Sequence, residues 1–286
     1  MSEYQYNKVT PEMIEKFKEI APKRVLVGDE INEDFTHDEM AIYGKAKPEV
    51  LVEATSTEEV AAVVKLCNEN KVPVTPSGAR TGLVGGAVSI GGGVMISLTK
   101  MNKILGYDKE NFVVKIQSGV LLNDLAQDAE KQGLLYPPDP GEKFATVGGN
   151  EATNAGGMRA VKYGCTRDYV RAMTVVLPTG EIVKLGATVS KTSSGYSLLN
   201  LMIGSEGTLG IITELTLKVI PAPKSVISLI IPYENLEDCI ATVPKFFMEH
   251  LQPQAIEFME KEIVLASERY LGKSVFPQKL EGVDIG

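Results

Sequence analysis

The chain has 286 residues, enough for one large domain or two ordinary ones. Its composition, 44% hydrophobic and 23% charged, is ordinary for a globular protein and argues against disorder or a collagen-like chain. With 29 basic and 37 acidic residues the net charge is −8, so the basic excess that a nucleic-acid partner usually leaves is missing.

The first residues, MSEYQYNKVTPEMIEKF, are polar and lack the apolar core of a signal peptide. No apolar run reaches the length of a membrane span. Cys67, Cys165 and Cys239 lie far apart, which suits a reducing cytoplasm and argues against a disulfide framework or a cysteine metal site. Residues 11–20 predict a short helix with proline in its first turn, and residues 21–48 read as irregular. Residues 50–54 predict a strand. Ser56 and Glu59 have capping-box spacing, and Val60, Val63, Val64 and Cys67 then fall on one face, so a helix is predicted over 57–70. A strand over 72–75 completes a compact β-α-β unit. Strands over 94–98 and 112–118 and a helix over 123–132 follow, the helix stopped by Gly133. Residues 169–177 and 181–185 predict a hairpin around a Pro-Thr-Gly turn. A short helix over 196–203 leads to a long strand over 211–220, rich in Ile, Thr and Leu. The Pro-Ala-Pro sequence at 221–223 marks a boundary. Beyond it a strand over 226–231, a helix over 235–249 containing Pro244 and an amphipathic helix over 256–271 are predicted.

The glycines carry the chemistry. They form three clusters: PSGARTGLVGG at 76–86; PPDP at 137–140 with ATVGGNEATNAGG at 145–157 and Tyr163-Gly164; and GSEGTLG at 204–210. Glycine lets backbone N–H groups converge on an anion because no Cβ stands in the way. Arg80 adds a fixed cation with a fork geometry suited to phosphate. Ser77, Thr81, Thr146, Asn150, Thr153 and Asn154 add short polar groups. Any one cluster alone is more simply a set of tight turns, and Gly91-Gly92-Gly93 is read as a turn outright. All three together point to an extended, phosphate-bearing cofactor. Neither G-x-G-x-x-G between strand and helix nor G-x-x-x-x-G-K-[ST] occurs, which disfavours a Rossmann site and a P-loop.

These three motifs, in this order, resemble the FAD-linked oxidases of the vanillyl-alcohol oxidase/p-cresol methylhydroxylase (PCMH) type. Within them the chain looks most like the branch of D-lactate dehydrogenases and glycolate oxidase D subunits, including lactate dehydrogenase subunits that pair with an electron-transfer flavoprotein. The resemblance is dense over residues 46–223 and weaker beyond. It implies an α+β fold: a FAD-binding domain of two α+β subdomains at 46–223, after an N-terminal helical and irregular segment at 1–45, followed by the start of an α+β cap at 224–286 that is expected to be incomplete. By position, Pro76, Ser77, Gly78, Ala79, Arg80, Thr81, Gly82 and Leu83 would hold the pyrophosphate. Pro138, Asp139, Thr146, Gly148, Gly149, Asn150, Thr153, Asn154, Gly156, Gly157 and Tyr163 would flank the flavin and its ribityl chain. Glu206, Gly207, Gly210, Ile211 and Ile212 would frame the adenine side.

The first loop contains no histidine, the residue through which many relatives tether the flavin, so non-covalent FAD is expected. The resemblance implies oxidation of a 2-hydroxy acid, D-lactate first, with the hydride passing to flavin N5 and electrons then to a partner such as an electron-transfer flavoprotein. A glycolate oxidase subunit and a flavin-holding electron-transfer subunit without substrate chemistry are the alternatives. The catalytic base and the ligands of any divalent metal are expected in cap sequence beyond residue 286. His37, in a polar acidic segment, is read as solvated and His250 as a surface or capping residue.

Overall fold

The computed structural model describes residues 6–274 apart from 41 and 43, together with the backbone of 279–280 and 283–284. It is α+β, and its residues fall into two compact units: 1–157 with 164–222, and 158–163 with 223–286.

In the first unit, α1 (Pro11–Ile20) starts at Thr10, whose side chain accepts from the Met13 amide. Next come β1 (Val25–Val27), β2 (Val50–Glu53), α2 (Thr57–Glu69), β3 (Val74–Ser77) and β4 (Val94–Ser97). The predicted cap forms: Ser56 Oγ accepts from the Glu59 amide at 3.2 Å. The four strands make a sheet of order β1-β2-β4-β3. β4 pairs in parallel with both β2 and β3, as the β-α-β reading requires. One face of the sheet (Val50, Val52, Val94, Ile96) packs on Met13 and Phe17 of α1 and Val60, Val63 and Val64 of α2. The other face presents Leu51 and Met95 to Ile31, Leu26 and Phe35. Burying each such side chain contributes about 1.5–3 kcal/mol. The 21–48 segment is therefore not merely irregular. It supplies an edge strand, two 3₁₀ turns and half of a small core.

A second sheet is built from β5 (Ile104–Asp108), β6 (Val113–Gln117), β8 (Val170–Val176), β9 (Ile182–Gly186) and β10 (Ile211–Lys218), in the order β5-β6-β10-β8-β9. All its pairings are antiparallel. β5 escaped the sequence reading because Gly106 and a register shift interrupt its pattern. Between β6 and β8 lie α3 (Leu122–Lys131), β7 (Leu134–Leu135) and α4 (Val147–Thr153); β7 pairs with β11 (Ile220–Pro221). α6 (Leu198–Met202) precedes β10. At a bulge in β10 the buried Thr213 hydroxyl donates to the Thr174 carbonyl and accepts from the Thr57 hydroxyl at 2.9 Å. That chain of hydroxyls joins the start of α2 to the second sheet.

The second unit contains α5 (Ala160–Tyr163), α7 (Leu236–Met248) and α8 (Lys261–Leu271), with a small hairpin of β12 (Lys279–Leu280) and β13 (Val283–Asp284). The strand expected over 226–231 is absent. Its apolar side chains are exposed, and no strand pairs with it among the described residues, so its backbone has no ladder to join. α8 begins at Lys261, later than the apolar pattern suggested. His250 is the left-handed residue that closes α7: its amide donates to the Phe247 carbonyl and the Leu251 amide to the Phe246 carbonyl. No helix among the described residues is long and apolar enough to cross a membrane.

Candidate functional site

The three glycine clusters, apart from Tyr163, meet in the first unit. Gly78 lies against Thr146: a Cβ on Gly78 would stand 2.2 Å from Thr146 Oγ1. Gly207 lies against Pro76, where a Cβ would stand 2.5 Å from Cγ. The Gly204 amide donates to the Glu151 carbonyl at 3.0 Å and the Glu206 amide to the Ala152 carbonyl at 2.8 Å. Thus loop 76–86, α4 and turn 204–210 form one cradle.

The clusters use their glycines differently. In the first loop, the amides of Gly78 through Val84 have no protein acceptor among the described residues. Seven successive donors without an internal acceptor make an electropositive rim suited to an anion. Gly85 is excluded from that row, because its amide donates to Asp38 Oδ2 at 2.6 Å. In the second cluster the amides at the start of α4 are committed. Val147 donates to the Val120 carbonyl, Gly148 to Ser118, Asn150 to Thr146, and Gly149 to Thr146 Oγ1, the N-cap of α4. Here glycine permits close approach instead: a Cβ on Gly148 would meet Ser118 Cβ at 2.4 Å, and one on Gly157 the Asp139 carbonyl oxygen at 2.0 Å. Gly210 is held equally close to β8: a Cβ there would stand 2.6 Å from Val175 Cγ1. Three non-glycine residues adopt left-handed backbone at these clusters: Arg80, Asn154 and Glu206. Each costs of order 1–3 kcal/mol and persists only because its surroundings enforce it, and such residues concentrate at binding sites.

Arg80 is built into the loop. Its guanidinium lies 4.0 Å over the Phe35 ring, and Nε donates to the Asp34 carbonyl at 2.8 Å. Burial pulls its pKa down and the Asp34 charge pushes it back up. Its hydrogen-bond acceptors are carbonyl oxygens (Asp34 and, at 3.4 Å, Gly78), which leave the charge unneutralised. The Glu39 amide donates to the Arg80 and Gly82 carbonyls, so the segment ending at Met40 clamps the loop from outside.

The other predicted residues fall as follows. Ser77 is buried, with its hydroxyl on the Gly78 carbonyl; Ala79 and Thr81 are half-buried, and Gly82 and Leu83 are exposed. Pro138 is buried and Asp139 half-buried beside α4's continuation at Gly157. Asn150 is buried, Gly156 is exposed, and the Thr153 hydroxyl is spent on the Gly149 carbonyl of its own helix. Asn154 ends α4 and accepts from the Arg167 amide. Ile211 and Ile212 are buried at the start of β10, Ile211 within the main core. Tyr163 belongs to the second unit, in α5, with Lys162 Nζ 5.3 Å from its ring centroid. His37 is half-buried, and its Nδ1 lies 2.7 Å from the Asp38 carbonyl oxygen, so it is not simply solvated.

Sequence reasoning missed Asp38 and Glu151. Asp38 is 3% exposed and fixes both Gly85 and Met40. No local pattern signals it, since the loop it holds at Gly85 lies 47 residues away. Glu151 is wholly buried on α4. It left one signal: it is the single charged residue between Phe144 and Met158. Its Oε1 accepts from the Tyr136 hydroxyl at 3.4 Å and Oε2 has no partner. Burial pushes its carboxyl well above the ordinary carboxylate range, and the Tyr136 bond only partly opposes this.

The "FAD binding domain" family model matches residues 48–186. All 286 residues align at 93% identity with a D-lactate dehydrogenase of Anaerostipes hadrus, covering 60% of it. Glycolate oxidase subunit GlcD of Bacillus subtilis (strain 168) is 38% identical over 227 residues, which are 79% of this chain and 48% of that protein. The chain thus spans about half the length of these curated relatives. Among solved structures, p-cresol methylhydroxylase with substrate bound matches with TM-score 0.64 and 24% identity, over 76% of this chain and 45% of that one, a likeness of fold.

Proposed function

We propose that the chain belongs among the FAD-linked oxidases, as the FAD binding domain match over residues 48–186 supports, that it binds FAD without a covalent tether, and that it serves the oxidation of a 2-hydroxy acid, D-lactate first, to the 2-oxo acid. The observation that carries the FAD reading is the run of acceptor-less amides from Gly78 to Val84, backed by the Arg80 cation. A pyrophosphate matches it in charge. The α4 N-terminus, whose amides are committed, is not the phosphate site.

In this reading Pro76–Leu83 hold the pyrophosphate, with Thr81 adding a hydroxyl. The 138–157 run flanks the flavin and ribityl chain, and Glu206–Ile212 frame the adenine side. Gly148, Gly157 and Gly207 act by letting backbone segments close up, which fixes the cradle and keeps water out. Residues 46–223 form the cofactor domain and 224–286 the beginning of the cap. When bound, FAD supplies the acceptor for the hydride that leaves C2 of the substrate, the hydroxyl proton going to a base. The electrons pass on to a protein acceptor of the electron-transfer flavoprotein type, in the cytoplasm. A divalent metal, if one takes part, would be held by the cap. The D-lactate assignment rests on the 93% identical relative. The glycolate oxidase relative supports a second reading in which glycolate is the substrate.

Anaerobic titration of the full-length holoprotein with D-lactate, L-lactate and glycolate decides the matter. D-lactate is expected to bleach the flavin absorbance. Bleaching by glycolate alone selects the second reading. A flavin that none of the three reduces, but that a reduced electron-transfer partner does reduce, would leave an electron-carrying subunit instead.

A further inference from the structure

Glu151 joins every part of the cradle except the first loop. Its carbonyl accepts from the Gly204 amide, and that of its neighbour Ala152 from the Glu206 amide, tying α4 to turn 204–210. Its side chain reaches Tyr136, the residue that leads into the buried Pro137 and Pro138. Both Glu151 and Tyr136 are essentially inaccessible to water, and Tyr136 stacks edge-on against Tyr169 with ring centroids 6.1 Å apart. The elements packed against α4 are β10 and the 3₁₀ turn Thr166–Tyr169. Their titratable groups are Glu214, Lys218, Arg167, Asp168 and Tyr169. Glu214 pairs with Lys115, Lys218 lies over the Tyr169 ring, and Asp168 accepts from the Cys165 amide. The Arg167 amide donates to Asn154, and its guanidinium lies near Gly204. Tyr136 is thus the one side chain that bonds to the Glu151 carboxyl among the described residues, and Oε2 is left with none.

We propose that Glu151 is a positioning residue: as an uncharged, wholly buried acid it locks α4 to the 136–138 segment and to turn 204–210, and its ionisation loosens that lock and releases FAD. The proposal rests on the FAD reading above. An unpaired carboxylate at this depth has neither cation nor solvent to stabilise it. Ionisation therefore drives the helix toward water, and the two main-chain bonds to Gly204 and Glu206 go with it. Burial, which holds the carboxyl protonated, supports the same conclusion.

The test follows FAD affinity of the purified holoprotein from pH 6 to 10 for the wild type, Glu151→Gln and Tyr136→Phe, with near-UV circular dichroism to confirm folding. The same proteins, freed of flavin, are followed by amide hydrogen exchange at Gly204 and Glu206, expressed as protection factors. In the wild type the FAD dissociation constant is expected to rise about tenfold per pH unit once the buried acid begins to ionise, with protection at Gly204 and Glu206 falling in step. Glu151→Gln, which keeps the shape and cannot ionise, is expected to flatten both profiles. Tyr136→Phe, which removes a bond that favours the carboxylate, is expected to move the wild-type midpoint to higher pH. Superimposable profiles for the wild type and Glu151→Gln would overturn the proposal. If no variant binds FAD at any pH, the FAD reading fails, and the exchange profiles still decide the role of Glu151. If Glu151→Gln fails to fold, the midpoint shift in Tyr136→Phe decides instead, and its absence overturns the proposal.

Discussion

Gly78 and Thr146 stand so close that any side chain on Gly78 would strike the hydroxyl capping α4. One contact therefore links the loop that offers its amides to the helix behind it. Gly78→Ala is expected to displace Thr146 and weaken its cap, which costs about 0.5–2 kcal/mol when a cap is lost. FAD affinity should fall by at least about tenfold, the equivalent of 1.4 kcal/mol. Flavin fluorescence and urea melts measure the two effects.

Gly148 and Gly156 belong to one motif and are expected to behave in opposite ways. An alanine at 148 meets Ser118 Cβ at 2.4 Å and its carbonyl oxygen at 2.8 Å, and the backbone cannot yield cheaply. A cost of about 1–3 kcal/mol is expected for such overpacking. Gly156 has open space around its missing Cβ, and its backbone is not left-handed, so Gly156→Ala should lie within about 0.5 kcal/mol of wild type. Thermal melts of the pair check the contrast.

The Asp38 carboxylate holds the first loop from the outside. Asp38→Ala leaves the Gly85 and Met40 amides without their acceptor. A loss of about 1–3 kcal/mol is expected if both stay buried, less as water reaches them. Arg80→Glu inverts the charge beside the amide row and removes the contact with Phe35. It should sharply lower flavin occupancy, and Asp38→Ala should do so mildly. Unchanged occupancy in Arg80→Glu would remove Arg80 from the pyrophosphate site. Faster exchange of amides over 28–40 would report the loosened clamp in both.

Stability should fall as pH rises above the ordinary carboxylate range. Glu151 keeps its proton in the folded state and loses it in the unfolded chain. Unfolding then releases a proton, so the folded state is favoured most below the unfolded pKa. The advantage shrinks by up to about 1.4 kcal/mol per pH unit until the folded-state pKa is reached. Urea melts from pH 5 to 8 on wild type and Glu151→Gln isolate this slope as the difference between the two.

Because no histidine occurs between Pro76 and Gly86, acid or guanidinium should strip the flavin completely. A precipitate that stayed yellow after washing would show a covalent link.

Much of the fold was legible because α1, α2, α3 and the strands β2, β3, β4, β6, β8, β9 and β10 carry their own periodicity and stop signals, whereas β1 and β5 do not. The glycine motifs were legible as chemistry, but their division of labour was not. Nothing in the string PSGARTGLVGG distinguishes Gly82, whose amide is uncommitted, from Gly85, whose amide belongs to Asp38. That difference is made by tertiary contact across more than 40 residues. The same holds for Arg80 and Phe35. The expected strand over 226–231 failed for the complementary reason: apolar β-branched residues permit a strand, but a pairing partner makes one. Glu151 was visible as a lone acidic residue among small residues, yet only the fold shows that it is wholly buried.

The cradle is stitched together by bonds the chain makes with itself: Gly204 to Glu151, Glu206 to Ala152, Gly149 to Thr146. None of them needs the cofactor. The polypeptide is therefore expected to fold first and to load FAD afterwards, which near-UV circular dichroism of the flavin-free protein would check. Flavin is then a late ligand and not a template, and its contribution to stability follows mass action, about 2.7 kcal/mol at a hundredfold excess over Kd. Under riboflavin limitation such a chain would accumulate as a folded, refillable apoprotein.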